Sequence, residues 1–441
     1  MGLIGRRSLL MIVIISLIEG CSLYSEEDTN VAFSSSTISS IDSIIKKHGI
    51  LGGTIICFNT SDITQYAFGM ARLEQKKEWN ESTYFRIASI SKFITTIAIM
   101  QLIEQRTFSL DTDISTLLPI ALRNPAYRDI PITVRMLLNH TSTIKDSDRA
   151  FEFAKRSILI DTISQDSIIP SIQTLFTLQF IQHEAFLPKT ISLNNGTLVK
   201  AMPGTFFNYT NINFVILAWI LERASGLSFA EYVQRHIFRP LNIKAGYVVQ
   251  DLPKDAVIST QYRYSKKQWV AEGDGSTKPF TLIYKPIISY KAGHNPFRFS
   301  PQAGLRIIGK DLAILLQNLL STETLLTSIS KEEMFSETWR AETNNSRHQF
   351  NDLFQSWGLG VQILTNTTGK DAINGLEKQY IGHIGRANGA YSTMFFNKQT
   401  NKGYIIFLNG IQSLPSSDHG FLKCEEELMS LILKYQQHEH E

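Results

Sequence analysis

Phe85-Arg86-Ile87-Ala88-Ser89-Ile90-Ser91-Lys92-Phe93-Ile94-Thr95-Thr96-Ile97-Ala98-Ile99-Met100-Gln101-Leu102-Ile103 is the stretch on which the fold turns. It enters strand-like, over Thr83 to Ile87, and from Ser91 to Gln105 becomes apolar nearly all round, the pattern of a helix buried on most faces. Ser89 and Lys92 sit at the junction. Side chains at i and i+3 share a helix face, so the amine can approach the hydroxyl. A helix N-terminus adds partial positive charge and unpaired N–H groups, which favour alkoxide character and can hold an oxyanion. A free lysine, with a reference pKa of ~10.4, is a poor base near neutrality. Burial or a neighbouring cation has to lower that value before Lys92 can take the serine proton.

The pairing alone decides little, because the chain has four of them: Ser43/Lys46, Ser89/Lys92, Ser142/Lys145 and Ser328/Lys331. Context separates them. Only Ser89 joins a strand-like run to the most apolar helix, where a lysine is desolvated.

Working outward, Ile41 to His48 reads as a short helix, with strands over 51–59 and 63–70 split by the turn-forming Thr60-Ser61-Asp62. A second strong helix runs from about Asn213 to Ala224, stopped by Gly226, and Ser228 to Glu231 forms a capping box for the next. Residues 247–290 read as hairpins or long loops. Strand-like runs return over 358–364, 391–396 and 403–408, before an amphipathic helix over 421–435. Strands at both ends with helices between predict an α+β fold of three α/β/α layers. Its antiparallel sheet is built from both chain ends and carries a mostly helical insertion, about residues 93–245. One catalytic domain over 43–437 is expected.

The composition is that of an ordinary globular chain: 441 residues, 43% hydrophobic and 19% charged, with 26 Phe and 15 Tyr. The net charge of +3, without a Lys/Arg block, gives no reason to expect a nucleic-acid partner. At the N-terminus Arg6 and Arg7 precede the apolar run Leu9 to Ile18, too short to span a bilayer and fitting a secretory signal over 1–20. Ile18-Glu19-Gly20-Cys21 resembles a bacterial lipobox, so Cys21 is expected to carry lipid and tether the protein to a membrane, with plain secretion as the alternative. Residues 21–42, rich in Ser, Thr and Asp, read as a flexible tether. Cys57 and Cys424 read as buried free thiols in preference to a bridge. No histidine spacing suggests zinc, and no cofactor is expected.

Two later elements bear on Ser89. Tyr209-Thr210-Asn211 is the only Tyr-x-Asn in the chain and precedes a helix. A tyrosine beside a lysine can have its phenol pKa lowered and shuttle protons, and an Asn donates and accepts without charge. An aromatic staple with an Asn N-cap is the plainer reading of that triplet by itself. His383-Ile384-Gly385 is the only His-x-Gly and lies in the Gly-rich stretch 382–389, placed before a strand. Glycine there lets backbone approach a substrate closely.

Ser-x-x-Lys, Tyr-x-Asn and His-x-Gly in that order resemble the class C β-lactamases and penicillin-binding-protein-like serine hydrolases. Thr133-Val134-Arg135-Met136-Leu137-Leu138-Asn139-His140-Thr141-Ser142 resembles that family's LLxHTSG segment, with Thr143 where Gly is usual. Pro203-Gly204 before Tyr209, and Ser300-Pro301 through Leu305, fit as well. The resemblance, over about 45–435, implies a β-lactamase/DD-peptidase-like fold without a cofactor. It also implies acylation of Ser89, a base role shared by Lys92 and Tyr209, and Asn211 orienting Lys92 and a substrate amide. His383 stands where many relatives carry Lys in Lys-Thr-Gly, and the backbone N–H groups of Ser89 and Arg386 would form the oxyanion hole beside Gly385. Ile384 replaces a threonine that helps hold a substrate carboxylate in relatives; Arg386 could take over as a carboxylate clamp or point outward.

The implied activity is that of an exported hydrolase of a small-molecule or peptide ester or amide. A true β-lactamase is a second reading. A non-hydrolytic membrane-tethered penicillin- or peptidoglycan-binding sensor is a third, and retention of the whole base system argues against it. Nothing in the sequence speaks to oligomeric state.

Overall fold

The computed structural model describes residues 30–159, 171–177, 184–193, 195–273, 290–376, 379–412 and 420–438. The expected signal, Cys21 and residues 21–29 of the expected tether lie outside them. Nine strands make a continuous path: β1 (Asn30–Val31), β2 (Ile50–Phe58), β3 (Ile63–Arg72), β4 (Trp339–Arg340), β5 (Ser356–Trp357), β6 (Gln362–Ile363), β7 (Ile381–Ala387), β8 (Ala390–Asn397) and β9 (Lys402–Ile411). Their order across the sheet is β1-β3-β2-β9-β8-β7-β6-β5-β4, with Lys77–Glu78 as a spur on β3. All pairs are antiparallel except β1 with β3. The two chain ends meet at β2 and β9, where Ile55 faces Ile406 and Cys57 faces Tyr404.

Both faces of the sheet are covered, which explains why residues 55–58 of β2 and 404–408 of β9 are apolar with no polar alternation. Successive strand residues point to opposite sides. Ile56, Phe58, Ile405 and Phe407 pack in a core with helices α2 (Ser91–Glu104), α3 (Ile212–Ser225) and α4 (Gly309–Ser321). Ile55, Cys57, Ile406 and Leu408 face α1 (Ser35–His48) and α5 (Lys423–His438) on the other side. This is the expected three-layer fold with its helical insertion. Cys57 and Cys424 are buried and unbridged.

Two sequence expectations are corrected. The tether does not extend to residue 42, because α1 starts at Ser35: the Ser34 hydroxyl accepts the Thr37 N–H at 3.2 Å, and Ile38, Ile41 and Ile45 pack inward. Serines that read as linker are an N-cap and the polar outer face of an amphipathic helix. His383 lies on β7 rather than before a strand. Its glycine neighbours, which suggested a loop, are accommodated by the close packing of that strand.

Helix α2 is the hub of the larger core; every residue from Ser91 to Leu102 is buried. Ile97→Ala, at a fully buried position, should lower stability in denaturant unfolding by about 2–5 kcal/mol through lost transfer energy and an unfilled cavity.

Candidate active site

Ser89 lies in a short 3₁₀ turn, Ala88–Ile90, which leads directly into α2. Ala88 takes a left-handed conformation (φ 47°), unusual for a residue with a Cβ and a local strain that its surroundings must hold. They do so from several sides. Ser91 Oγ donates to the Ala88 carbonyl at 2.6 Å and accepts the Leu305 N–H at 3.1 Å. Ile87 N–H reaches the Leu305 carbonyl at 3.0 Å, and Ser392 Oγ on β8 donates to the Ile87 carbonyl at 2.9 Å. The serine itself is half-buried and so open to a reactant.

Lys92, one turn on, is fully buried. Its Nζ donates to Ser89 Oγ at 3.0 Å, Asn211 Oδ1 at 2.8 Å and the Gln302 carbonyl at 3.0 Å, and lies 4.9 Å from the Tyr209 ring centre. Burial pulls the amine down to about 7, against the attraction of the Asp146 carboxylate. The requirement set by the sequence, a lysine whose ammonium gives up its proton near neutrality so that the amine can serve as a base, is met by desolvation.

Tyr209 is also buried, and burial raises its phenol while a hydrogen bond with Ser89 opposes the rise. The expected lowering by the lysine is therefore corrected. The ring packs against His140, Phe354 and Trp357. In so apolar a cage the phenolate is costly to form.

His383 on β7 faces Tyr209 and Trp357. Its Nδ1–H donates to the Ile384 carbonyl, and burial, aided by Lys92, lowers its pKa to about 3. It is a neutral imidazole where relatives of the Lys-Thr-Gly type carry a cation. Ile384 points the other way, into the apolar layer under α5. Arg386 is no free clamp. Its guanidinium donates to the buried carboxylate of Glu425 at 2.6 Å and to the Gly420 carbonyl at 3.1 Å, tying β7 to the start of α5.

The sequence reading assigns no role to three further contributors, although His140 and Gln302 lie within segments that carry the resemblance. Asp146 accepts the Asn211 side-chain N–H at 2.9 Å, across 65 residues of chain. His140 accepts the Thr210 N–H on Nδ1 at 3.2 Å and lies tilted against the Tyr209 ring, 4.4 Å between ring centres. Gln302 offers a carbonyl only because the 300–305 loop folds over α2. Thr143, at the position where glycine is usual, does adopt the left-handed conformation (φ 63°) and is held by Asn124.

A serine hydroxyl, a buried amine, a phenol and an imidazole converge beside β7, and the Beta-lactamase family profile matches residues 38–421. The chain belongs to the Beta-lactamase family. Penicillin-binding protein 4* of Bacillus subtilis is 26% identical over 379 residues, covering 86% of this chain and 72% of its own. A solved octameric penicillin-binding protein homologue from Pyrococcus abyssi superposes with a TM-score of 0.65 at 21% identity, over 91% of this chain and 77% of that one. D-Amino acid amidase from Ochrobactrum anthropi, solved with D-phenylalanine, gives 0.62 at 18% identity, over 92% and 100%. These likenesses show the fold shared by the β-lactamase family and penicillin-binding proteins.

Gly385 lets β7 lie directly against the Ser89 turn. A Cβ there would collide with the Ile87 carbonyl oxygen and stand 3.1 Å from the Ser89 nitrogen. Gly385→Ala should leave circular dichroism near native while cutting fluorophosphonate labelling of Ser89 on the order of 100-fold, since small displacements of a nucleophile are that costly.

Proposed function

We propose that the protein is an exported serine hydrolase that acylates Ser89 with an ester, amide or peptide and passes the acyl group to water. The observation that carries this reading is the solvent-free Lys92 amine, 3.0 Å from Ser89 Oγ and lowered to about 7. Neutral Lys92 takes the Ser89 proton as Oγ attacks the carbonyl carbon. The oxyanion is met by the backbone N–H groups of Ser89 and Arg386. The Lys92 proton returns to the leaving group through the Tyr209 hydroxyl, which acts as a neutral donor and acceptor because its phenolate is disfavoured. Water then attacks the acyl-enzyme with the same groups in reverse.

Ester, amide or peptide hydrolysis is favoured over β-lactam hydrolysis by two positions. Ile384 offers no hydroxyl to a substrate carboxylate, and the Arg386 guanidinium is committed to Glu425. Export and a lipid anchor rest on Arg6-Arg7, the apolar Leu9–Ile18 and Cys21. Cys21→Ala should abolish incorporation of labelled palmitate and move the protein from the membrane to the soluble fraction; unchanged labelling would refute the anchor.

Fluorophosphonate should label the protein and short-chain nitrophenyl esters should turn over, with both lost in Ser89→Ala. Because the neutral amine is the base, kcat/KM should fall about tenfold per pH unit below a midpoint near 7 and level off above it. Labelling that survives Ser89→Ala, or an activity flat between pH 5 and pH 8, roughly one unit or more either side of that midpoint, would overturn the assignment. A fluorescent penicillin that is turned over as fast as the best ester would instead establish the β-lactamase reading.

A further inference from the structure

Helix α3 begins at Ile212 behind Asn211, whose own side chain makes no cap hydrogen bond. The cap comes from a distant residue. Asp146, at the solvent-facing edge of the site, accepts the Asn211 backbone N–H at 2.9 and 3.0 Å and the Ile212 N–H at 3.0 Å. It also accepts the Thr210 hydroxyl at 2.7 Å and the Asn211 amide Nδ2 at 2.9 Å. Two carboxylate oxygens present about four lone pairs, so these five contacts saturate the group and leave it none for a substrate. Its position at a helix N-terminus suits an anion.

The Nδ2 contact has a consequence at the other end of the same amide. With both Nδ2 and Oδ1 spoken for, Asn211 cannot flip: Nδ2 faces Asp146 and Oδ1 faces Lys92 Nζ at 2.8 Å. The amide is polarised in the direction that makes Oδ1 a stronger acceptor. An unbroken chain then runs from carboxylate to amide to amine to the Ser89 hydroxyl.

Resting on the reading of Lys92 as the base, we infer that Asp146 is a positioning residue for the reaction, which orients Asn211 and sets the proton affinity of Lys92 from outside the pocket. The other titratable groups facing Lys92 are Tyr209 from the segment before α3, His140 from the segment leaving Val134–Leu138, and His383 from β7. Burial disfavours the charged form of each. Asp146 is thus the carboxylate that opposes the desolvation of the amine.

The sign follows. Removing the negative charge lowers the proton affinity of Lys92, so the acid limb of kcat/KM moves to lower pH. Loss of the amide anchor lowers the plateau on the order of 10- to 100-fold, as for other small misplacements of a reacting group. The test uses Asp146→Asn, which keeps an oxygen at the cap, and Asp146→Ser, which caps well without charge.

Two readouts are taken on purified protein: nitrophenyl ester turnover against pH, and the titration midpoint of Lys92 by carbon-13 NMR in a Ser89→Ala background. The second needs no turnover, so it decides the role of Asp146 even if the hydrolase reading fails. Both variants should move limb and midpoint downward together. In the unsubstituted protein, added salt should do the same, because the charge of an exposed carboxylate is screened. Variants that lose only thermal stability, with limb and Lys92 midpoint unmoved, would make Asp146 a helix cap and nothing more. Should neither variant fold, a salt-independent Lys92 midpoint would overturn the proposal.

Discussion

Lys92 is held out of water, and the rest of the site follows from that exclusion. A buried ammonium is tolerable only if its three N–H groups find acceptors, and they do, on Ser89, Asn211 and Gln302. The same burial that demands those partners makes the amine easy to deprotonate, bringing it to about 7. One physical cost therefore fixes both the geometry and the chemistry. It also disciplines the neighbours: His140 and His383 are kept neutral and Tyr209 protonated by the same low-dielectric surroundings.

Keeping that pocket dry requires a scaffold that does not give. The strained Ala88 turn is clamped between β8, through Ser392, and the 300–305 loop, through Leu305. Gly385 lets β7 press against that turn with no side chain between. Beyond the pocket, the Arg386–Glu425 pair ties β7 to α5, and Asp146 ties the segment after His140 to the start of α3. Each is a charge put to structural use within a few residues of the chemistry.

Much of this was legible in the residues. The alternation of apolar faces, the nearly all-apolar α2 and the Gly226 stop and Ser228 start after α3 are local signals, and they appear where they were read. The Ser34–Thr37 run reads as tether because composition cannot distinguish a solvated linker from the polar side of a short helix. His383 reads as preceding a strand because its glycine neighbours suggest a loop, whereas in the fold they serve the close packing of β7.

Ser89 and Lys92, Tyr209 and Asn211, and His383 and Gly385 could be singled out from short motifs taken together and in order, because the members of each pair lie within a few residues of each other along the chain. The sequence by itself determined those pairs, the order of the motifs and the three-layer fold. Only the tertiary structure decided how the groups behave. Whether Lys92 is desolvated, whether the Tyr209 phenol rises or falls, and whether Arg386 is free or paired all depend on what lies across the fold. Asp146 and Gln302 reach the site from other segments, over 65 and 210 residues of chain. Spacing along the chain carries no record of such meetings; burial and charge are properties of the assembled surroundings.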